Sequence, residues 1–255
     1  MNNESLKGKN IIITGASQGL GEYCAIKMSQ KGANIILISR SKEKLKRVLN
    51  QCNDNTNNLI VPLDITNHAD CTDKLNDVIE NYNENIDCVI HAVGGGLGFR
   101  NPLIEFDDFV KLFATNIAGQ STINNAVIPF MKKNECGNII HVSSVASREA
   151  IGSVGYNTVK ASINAYVRSL GNELANTGVI VTGILPGAFI ANQNAMERLK
   201  NTNIKAYKEY ENRLPRKKMA DVSEVYSLIE FLSSSSASMM TGCMVPIDAG
   251  EGKVI

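Results

Sequence analysis

The chain of 255 residues carries 26 Lys and Arg against 25 Asp and Glu, a formal net charge of +1, and 44% of it is hydrophobic. So even a balance gives no field to draw nucleic acid or an anionic membrane surface, while the apolar content suffices for a substantial core. Six cysteines (24, 52, 71, 88, 136 and 243) include no C-x-x-C pair and no His at ligand spacing, so neither a metal site nor a disulfide framework is suggested.

Free thiols of a reducing cytoplasm are the simplest expectation. The polar start MNNESLKGKN and apolar runs of about five residues fall short of a signal segment or a membrane span, so a cytoplasmic protein is expected.

In chain order, short β-branched runs read as buried strands: NIIITG (10–15), NIILIS (34–39), NLIVPL (58–63), IDCVIHAV (86–93), NIIHVSS (138–144) and GVIVTGIL (178–185). Between them, amphipathic stretches at 19–31, 42–52, 67–81, 106–133 and 154–176 predict helices. This alternation predicts an α/β fold, a doubly wound parallel sheet of about seven strands with helices on both faces. Ligands of such sheets bind beyond the carboxyl ends of the strands. No repeat or linker divides the chain, so residues 1–255 read as a single domain. After LPG (185–187) the rhythm pauses for about thirty residues, which predicts a substrate loop or lid at 188–218.

The first strand runs into TGASQGLG, with Gly15, Gly19 and Gly21 at the strand-to-helix turn. Glycines there allow positive φ and a close backbone approach to a pyrophosphate, and the following helix aims its free N–H groups and positive dipole end at the phosphates. A dinucleotide is the natural ligand. The second strand ends in Ser39, Arg40 and Ser41 with no acid. A carboxylate would repel a 2′-phosphate, whereas Arg40 can fork onto one, so NADP(H) is favoured and NAD(H) remains possible.

Two Tyr-x-x-x-Lys pairs occur, Tyr23/Lys27 and Tyr156/Lys160; with seven Tyr and eighteen Lys, chance alone supplies about half an occurrence. Their surroundings differ. The combination of TGASQGLG, Asp64 in PLDIT, Asn116 in NIAG, Ser143 in HVSSVAS, Tyr156/Lys160, LPG and GCMVPIDAG (242–250) resembles the classical short-chain dehydrogenase/reductase family over essentially the whole chain. The resemblance implies a Rossmann fold and a catalytic tetrad of Asn116, Ser143, Tyr156 and Lys160. The implied serine lies thirteen residues before the tyrosine, at Ser143; for Tyr23 that count lands on Asn10, so Tyr23/Lys27 reads as an ordinary helical pair. The implied cofactor contacts are Gly15, Ser17, Gly19, Leu20, Gly21, Ser39, Arg40, Asp64, Ile65, Gly94, Tyr156, Lys160, Pro186, Gly187 and Phe189. Gly95, Arg100 and Ser143 are expected around the substrate.

A phenol of pKa about 10 is a poor proton donor at neutral pH. Lys160 shares a helix face with Tyr156 and is expected to lower its pKa, assisted by an oxidised nicotinamide, so that Tyr156 is the general acid/base. Ser143 would hold the substrate oxygen, and by resemblance Asn116 anchors a water linking Lys160 to solvent. Two departures stand out. His91, Ala92 and Val93 replace the family's Asn-Asn-Ala before Gly94, and His91 reads as a strand-end histidine bonded to backbone. Ala191 stands where a threonine often helps hold the cofactor, so binding is expected to be looser or supported differently.

The resemblance implies hydride transfer between NAD(P)(H) and a carbonyl or secondary alcohol. A 3-oxoacyl thioester is the commoner substrate of such proteins, although those reductases often carry an arginine where Thr177 stands. A keto-sugar or nucleotide-sugar is the alternative, and a non-catalytic NAD(P)-binding sensor is the rival of another class. Residues 197–218 hold eight Lys and Arg against three acids, consistent with an anionic small-molecule handle or with a solvated lid. By resemblance a homotetramer or homodimer is expected, with helices 106–133 and 154–176 at its interfaces.

Overall fold

A computed structural model describes residues 6–82 and 85–254. The first five residues of the polar N-terminal stretch, 83–84 and 255 lie outside the described residues. The strands are β1 (Asn10–Thr14), β2 (Asn34–Ser39), β3 (Leu59–Pro62), β4 (Cys88–His91), β5 (Gly137–Val142), β6 (Val179–Pro186), the short β7 (Phe189–Ile190) and β8 (Ala220–Asp221), and β9 (Met244–Ile247). Among the described residues, seven of them form one parallel sheet in the order β3-β2-β1-β4-β5-β6-β9, and β7 pairs with β8 apart from it.

Alternation along each buried strand feeds two cores, because successive side chains leave opposite faces. Ile11 and Ile13 of β1 join Ile35 and Leu37 of β2 beneath α1 (Gly19–Gln30), α2 (Lys42–Leu49) and, from the far end of the chain, residues 222–232. Ile12, level with Ile36 and Val89, faces the other way. There it meets α3 (His68–Asn81), residues 119–133 and residues 154–173. Each such isoleucine, fully buried, contributes about 1.5–3 kcal/mol.

Helix starts follow local chemistry. The Ser41 side chain accepts the Lys44 N–H and the Asn67 side chain accepts the Asp70 N–H. The run 106–133, which the sequence predicts as one helix, comprises α4 (Phe106–Phe113), a π-helical turn (Ala114–Ala118) and α5 (Gly119–Lys133). The wide turn centres on Asn116, whose amide donates to the Leu112 carbonyl one turn back and to Gly95 of a neighbouring loop. Next come α6 (Val154–Glu173), α7 (Ala195–Thr202), α8 (Ile204–Arg213) and α9 (Val222–Leu232), which starts with a capping box of Asp221 and Glu224.

The pause after β6 is thus mostly helical. α7 and α8 close over a small core of their own, Tyr207, Leu214 and Met219. All six cysteines are free thiols, and no helix of the described residues is long and apolar enough to cross a membrane. Because the chain moves outward from β1 to β2 and β3 and then crosses back to β4, a crevice opens at the carboxyl ends of β1 and β4.

Candidate active site

At that crevice the glycine turn packs against the end of β4. A Cβ on Gly15, whose φ is +68°, would meet the Ala92 carbonyl at 3.0 Å, and one on Gly21 would fall 2.4 Å from the Gly15 oxygen. No side chain caps the start of α1, so its first N–H groups, including those of Leu20 and Gly21, point toward a prospective anion. Ser17 is nearly buried in the same turn.

At the end of β2 the Ser39 hydroxyl is buried without a partner among the described residues, and Arg40 beside it is exposed. An orphaned hydroxyl, a free cation and an open helix terminus on one crevice fit the adenosine ribose and diphosphate of a dinucleotide. Asp64 Oδ1 accepts the Thr66 N–H and hydroxyl, which sets the carboxylate at the end of β3, and Ile65 next to it is buried. Across the crevice, Pro186 pairs with Ile247, the Gly187 N–H donates to the Ile247 carbonyl, and Phe189 packs half-buried on the core beneath α1.

Asn116 and Lys160 converge on Gly94. A Cβ there would come within 2.7 Å of Asn116 Oδ1 and 3.0 Å of Lys160 Nζ, so only glycine leaves both groups room. Asn116 Oδ1 accepts the Gly95 N–H at 3.0 Å while its Nδ2 donates to the Gly95 carbonyl at 3.0 Å. Lys160, 4% exposed, donates to the Val142 carbonyl at 2.8 Å and lies 5.9 Å from the Tyr156 ring centre. Burial pulls its ammonium from 10.5 down to about 8.

Ser143 requires a correction. Its hydroxyl points into the protein and donates to the Lys160 carbonyl at 3.0 Å. The hydroxyl that pulls the Tyr156 phenol downward is that of Ser144. Consecutive residues of an extended chain face opposite ways, and Ser144 is extended at φ −169°, ψ 156°. The Ser143–Ser144 doublet offers two hydroxyls, and a count of thirteen points to the one that turns inward to the Lys160 carbonyl. Ser144 Oγ also accepts the Ala146 N–H at 3.1 Å, which fixes its orientation. In the protein alone Tyr156 is shifted upward, by burial, and only the Ser144 bond pulls it down. The Lys160 ammonium is turned toward the Val142 carbonyl.

His91 also departs from expectation, bonding a side chain rather than backbone. The Gln120 amide donates to the Val93 carbonyl at 3.0 Å, so its oxygen accepts from His141 Nδ1 at 2.7 Å. His141 Nε2 then accepts from Asn124 at 3.3 Å, and Asn124 Oδ1 accepts from His91 Nε2 at 2.8 Å. The two rings stack at 4.5 Å. Burial lowers His91 to about 4 and His141 well below its usual value, so both are neutral and neither is a base at neutral pH. Their chain braces Val93, next to the Gly94–Asn116 contact.

One group distant in sequence lies near Tyr156. Tyr210 of α8 lies within its electrostatic reach and is held protonated by burial and by Glu251. Its hydroxyl donates to Glu251 Oε1 at 2.8 Å, and Glu251 Oε2 accepts the Ala188 N–H at 2.6 Å. Glu149, just beyond β5, accepts the N–H groups of Lys253 and Val254. Nothing in the local sequence marks these residues, since their meeting depends on the chain end crossing the crevice. Arg100 is exposed on the loop after β4 and is not gathered into this cluster. In the basic segment, Arg216 pairs with Glu224, Arg198 and Lys217 donate to carbonyls of Gln193 and Asn212, and Lys200 lies over Tyr207.

The site thus offers a phenol with a hydroxyl beside it, a buried ammonium, and a dinucleotide cradle one strand away, a set suited to paired hydride and proton transfer. Residues 9–203 match the family model for short chain dehydrogenase. The chain is 35% identical to an uncharacterized oxidoreductase of Staphylococcus epidermidis over 183 residues, 71% of this chain and 78% of that protein. The solved structure of levodione reductase superposes with a TM-score of 0.88 at 23% identity, covering 96% of this chain and 98% of that one. That of an NADPH dependent reductase involved in bacilysin biosynthesis gives 0.89 at 21%, covering 98% and 100%. With its fold, its glycine turn and this match in agreement, the chain belongs to the short-chain dehydrogenase/reductase family and is an oxidoreductase of the NAD(P)-dependent kind.

Proposed function

We propose that this protein interconverts a ketone and a secondary alcohol on a small molecule, with Tyr156 as the general acid and base. The observation that carries the reading is the convergence of the buried Lys160 and Asn116 on Gly94, with the Tyr156 ring packed on Gly96 and its centre 5.9 Å from the Lys160 ammonium, at the crevice the glycine turn opens onto. When bound, the nicotinamide supplies or accepts the hydride. In the direction of reduction Tyr156 Oη gives its proton to the carbonyl oxygen as the carbon gains the hydride; in oxidation it takes the alcohol proton back. Ser144 donates its single O–H to that oxygen during the transfer, and to the tyrosine oxygen when the substrate is gone. Lys160 and Asn116 orient the nicotinamide ribose side of the crevice and return a proton to Tyr156 from solvent.

NADP(H) is the favoured cofactor, supported by the exposed Arg40 and the partnerless Ser39 hydroxyl at the end of β2. Gly15, Ser17, Gly19, Leu20 and Gly21 would hold the diphosphate, Asp64 and Ile65 the adenine, and Pro186, Gly187 and Phe189 the nicotinamide side. A tenfold or greater kcat/KM preference for NAD(H), unchanged in Arg40→Ala, would overturn that assignment.

For the substrate, 3-oxoacyl thioesters are set against keto-sugars, with Gly95 and the groups around Tyr210 bordering the pocket. Four of the eight basic side chains of 197–218 are engaged within or beside the lid, which favours a solvated lid over an anion handle. The deciding test is a panel of ketones, acyl thioesters and keto-sugars with NADPH and NADH, and of the matching alcohols with the oxidised cofactors. No turnover of any member, with cofactor still bound, would favour a cofactor-binding sensor. α4 leaves Phe106 80% exposed beside Val110 and Phe113, over an apolar groove of about 380 Å³. A second copy covers this face, so sedimentation gives a dimer or tetramer and a monomer would refute it.

A further inference from the structure

At the start of the lid, both the backbone and the side chain of Asn192 face the glycine turn. Its carbonyl accepts the Gly19 N–H at 2.7 Å, and its Nδ2 donates to the two oxygens of Glu22 at 3.2 and 2.9 Å. Glu22 sits in the first turn of α1 and is only 6% exposed. Arg47 of α2 grips the same carboxylate with both nitrogens, at 2.7 and 2.9 Å, and also donates to the Ser17 carbonyl at 3.0 Å. One buried carboxylate therefore ties together the turn, α2 and the first residues of the lid.

The position of that carboxylate matters for an anionic ligand. It lies one helical turn from the N–H groups of Leu20 and Gly21, where an unpaired negative charge would repel a diphosphate. Arg47 neutralises it, and Asn192 uses its remaining acceptor capacity. Ala191, the preceding residue, is buried and has no polar side chain, so Asn192 supplies the polar connection between this stretch and the turn.

We propose that Asn192, seated on the Glu22–Arg47 pair, is a positioning residue that docks the lid onto the cofactor turn and slows dinucleotide release. The proposal rests on the dinucleotide reading of the turn. It concerns residues of α1, α2 and the lid that touch each other and act on the ligand by holding the lid down.

The test is the dissociation rate of NADPH from the full-length protein, read by stopped-flow displacement of its fluorescence, with a thermal melt of each variant. Asn192→Ala raises the rate about tenfold, the scale of one lost charge-assisted contact. Asn192→Asp, which sets two carboxylates against each other, raises it further. Combining Glu22→Gln with Asn192→Asp restores an amide–carboxylate pair in reverse and brings the rate back to within about threefold of the native protein, a coupling that mere loss of packing does not produce. An Asn192→Ala protein that releases NADPH at the native rate overturns the proposal, as does a swapped protein that melts like the native one yet releases as fast as the single variants. Native protein that binds neither NADPH nor NADH overturns the dinucleotide reading itself, a separate outcome.

Discussion

Two helices of this protein carry a tyrosine four residues before a lysine, and they do different things. In α1, Tyr23 packs edge-on against Tyr226 at 5.6 Å, and Lys27 donates to Gln30 on its own helix. In α6, Tyr156 meets Ser144, and Lys160 is buried and drawn down to about 8. Spacing is identical in the two, so it is not what distinguishes them. The difference lies in what the rest of the fold brings against each face: a neighbouring helix in the first case, the ends of β4 and β5 and the Asn116 turn in the second.

The comparison can be broken most directly at the two tyrosines. Tyr156→Phe should cost about 10²- to 10⁴-fold in kcat, the usual worth of a positioned acid, while Tyr23→Phe keeps turnover near native; steady-state kinetics with any substrate from the panel decides it. If both variants lose activity equally, the distinction fails. Next in size is the serine doublet. Ser144→Ala should lower kcat/KM roughly 10- to 100-fold through the lost bond to the reacting oxygen, whereas Ser143→Ala should remove about 1 kcal/mol of stability, visible in the melting temperature.

The pH dependence of stability sharpens the picture beneath the α6 pair. Burial depresses His91 from 6.5 to about 4, and His141 moves the same way. The unfolded chain therefore takes up protons that the folded one refuses, so stability present above pH 6.5 is lost as the pH falls toward 4. Melting temperatures measured across that window should drop, and His91→Gln should flatten the drop. A profile flat from pH 6.5 to 4 in the native protein would contradict the neutral, buried pair. The smallest effect belongs to Lys27→Ala, within about 0.5 kcal/mol of native stability.

Much of this was legible in the residues. Buried β-branched runs, glycine-marked turns and amphipathic spacing located β1 to β6 and the helices up to α6 to within a few residues, but not α7, α8, α9 or β9. Order along the chain also singles out the glycine turn, Asn116, Tyr156 and Lys160 as candidates, and the structure sets Asn116 and Lys160 together against Gly94. The count along the chain points to Ser143, whose hydroxyl turns inward to the Lys160 carbonyl, because a count does not say which way a side chain faces. His91 was read as bonded to backbone because its partners, Asn124, His141 and Gln120, come from α5 and β5.

The sequence by itself determined the alternation of elements, the crevice at the strand ends and the chemistry available there, since these depend on local periodicity and on residue type. Only the tertiary structure decided that the Ser143 hydroxyl turns to the Lys160 carbonyl, that Tyr210 meets Glu251, and that Asn192 and Arg47 meet on Glu22. Those contacts join segments up to 170 residues apart, and no local propensity encodes a distance of that kind. They exist because the two cores pack the sheet and its helices into one arrangement, which brings residues 188–213 against the chain end and the glycine turn.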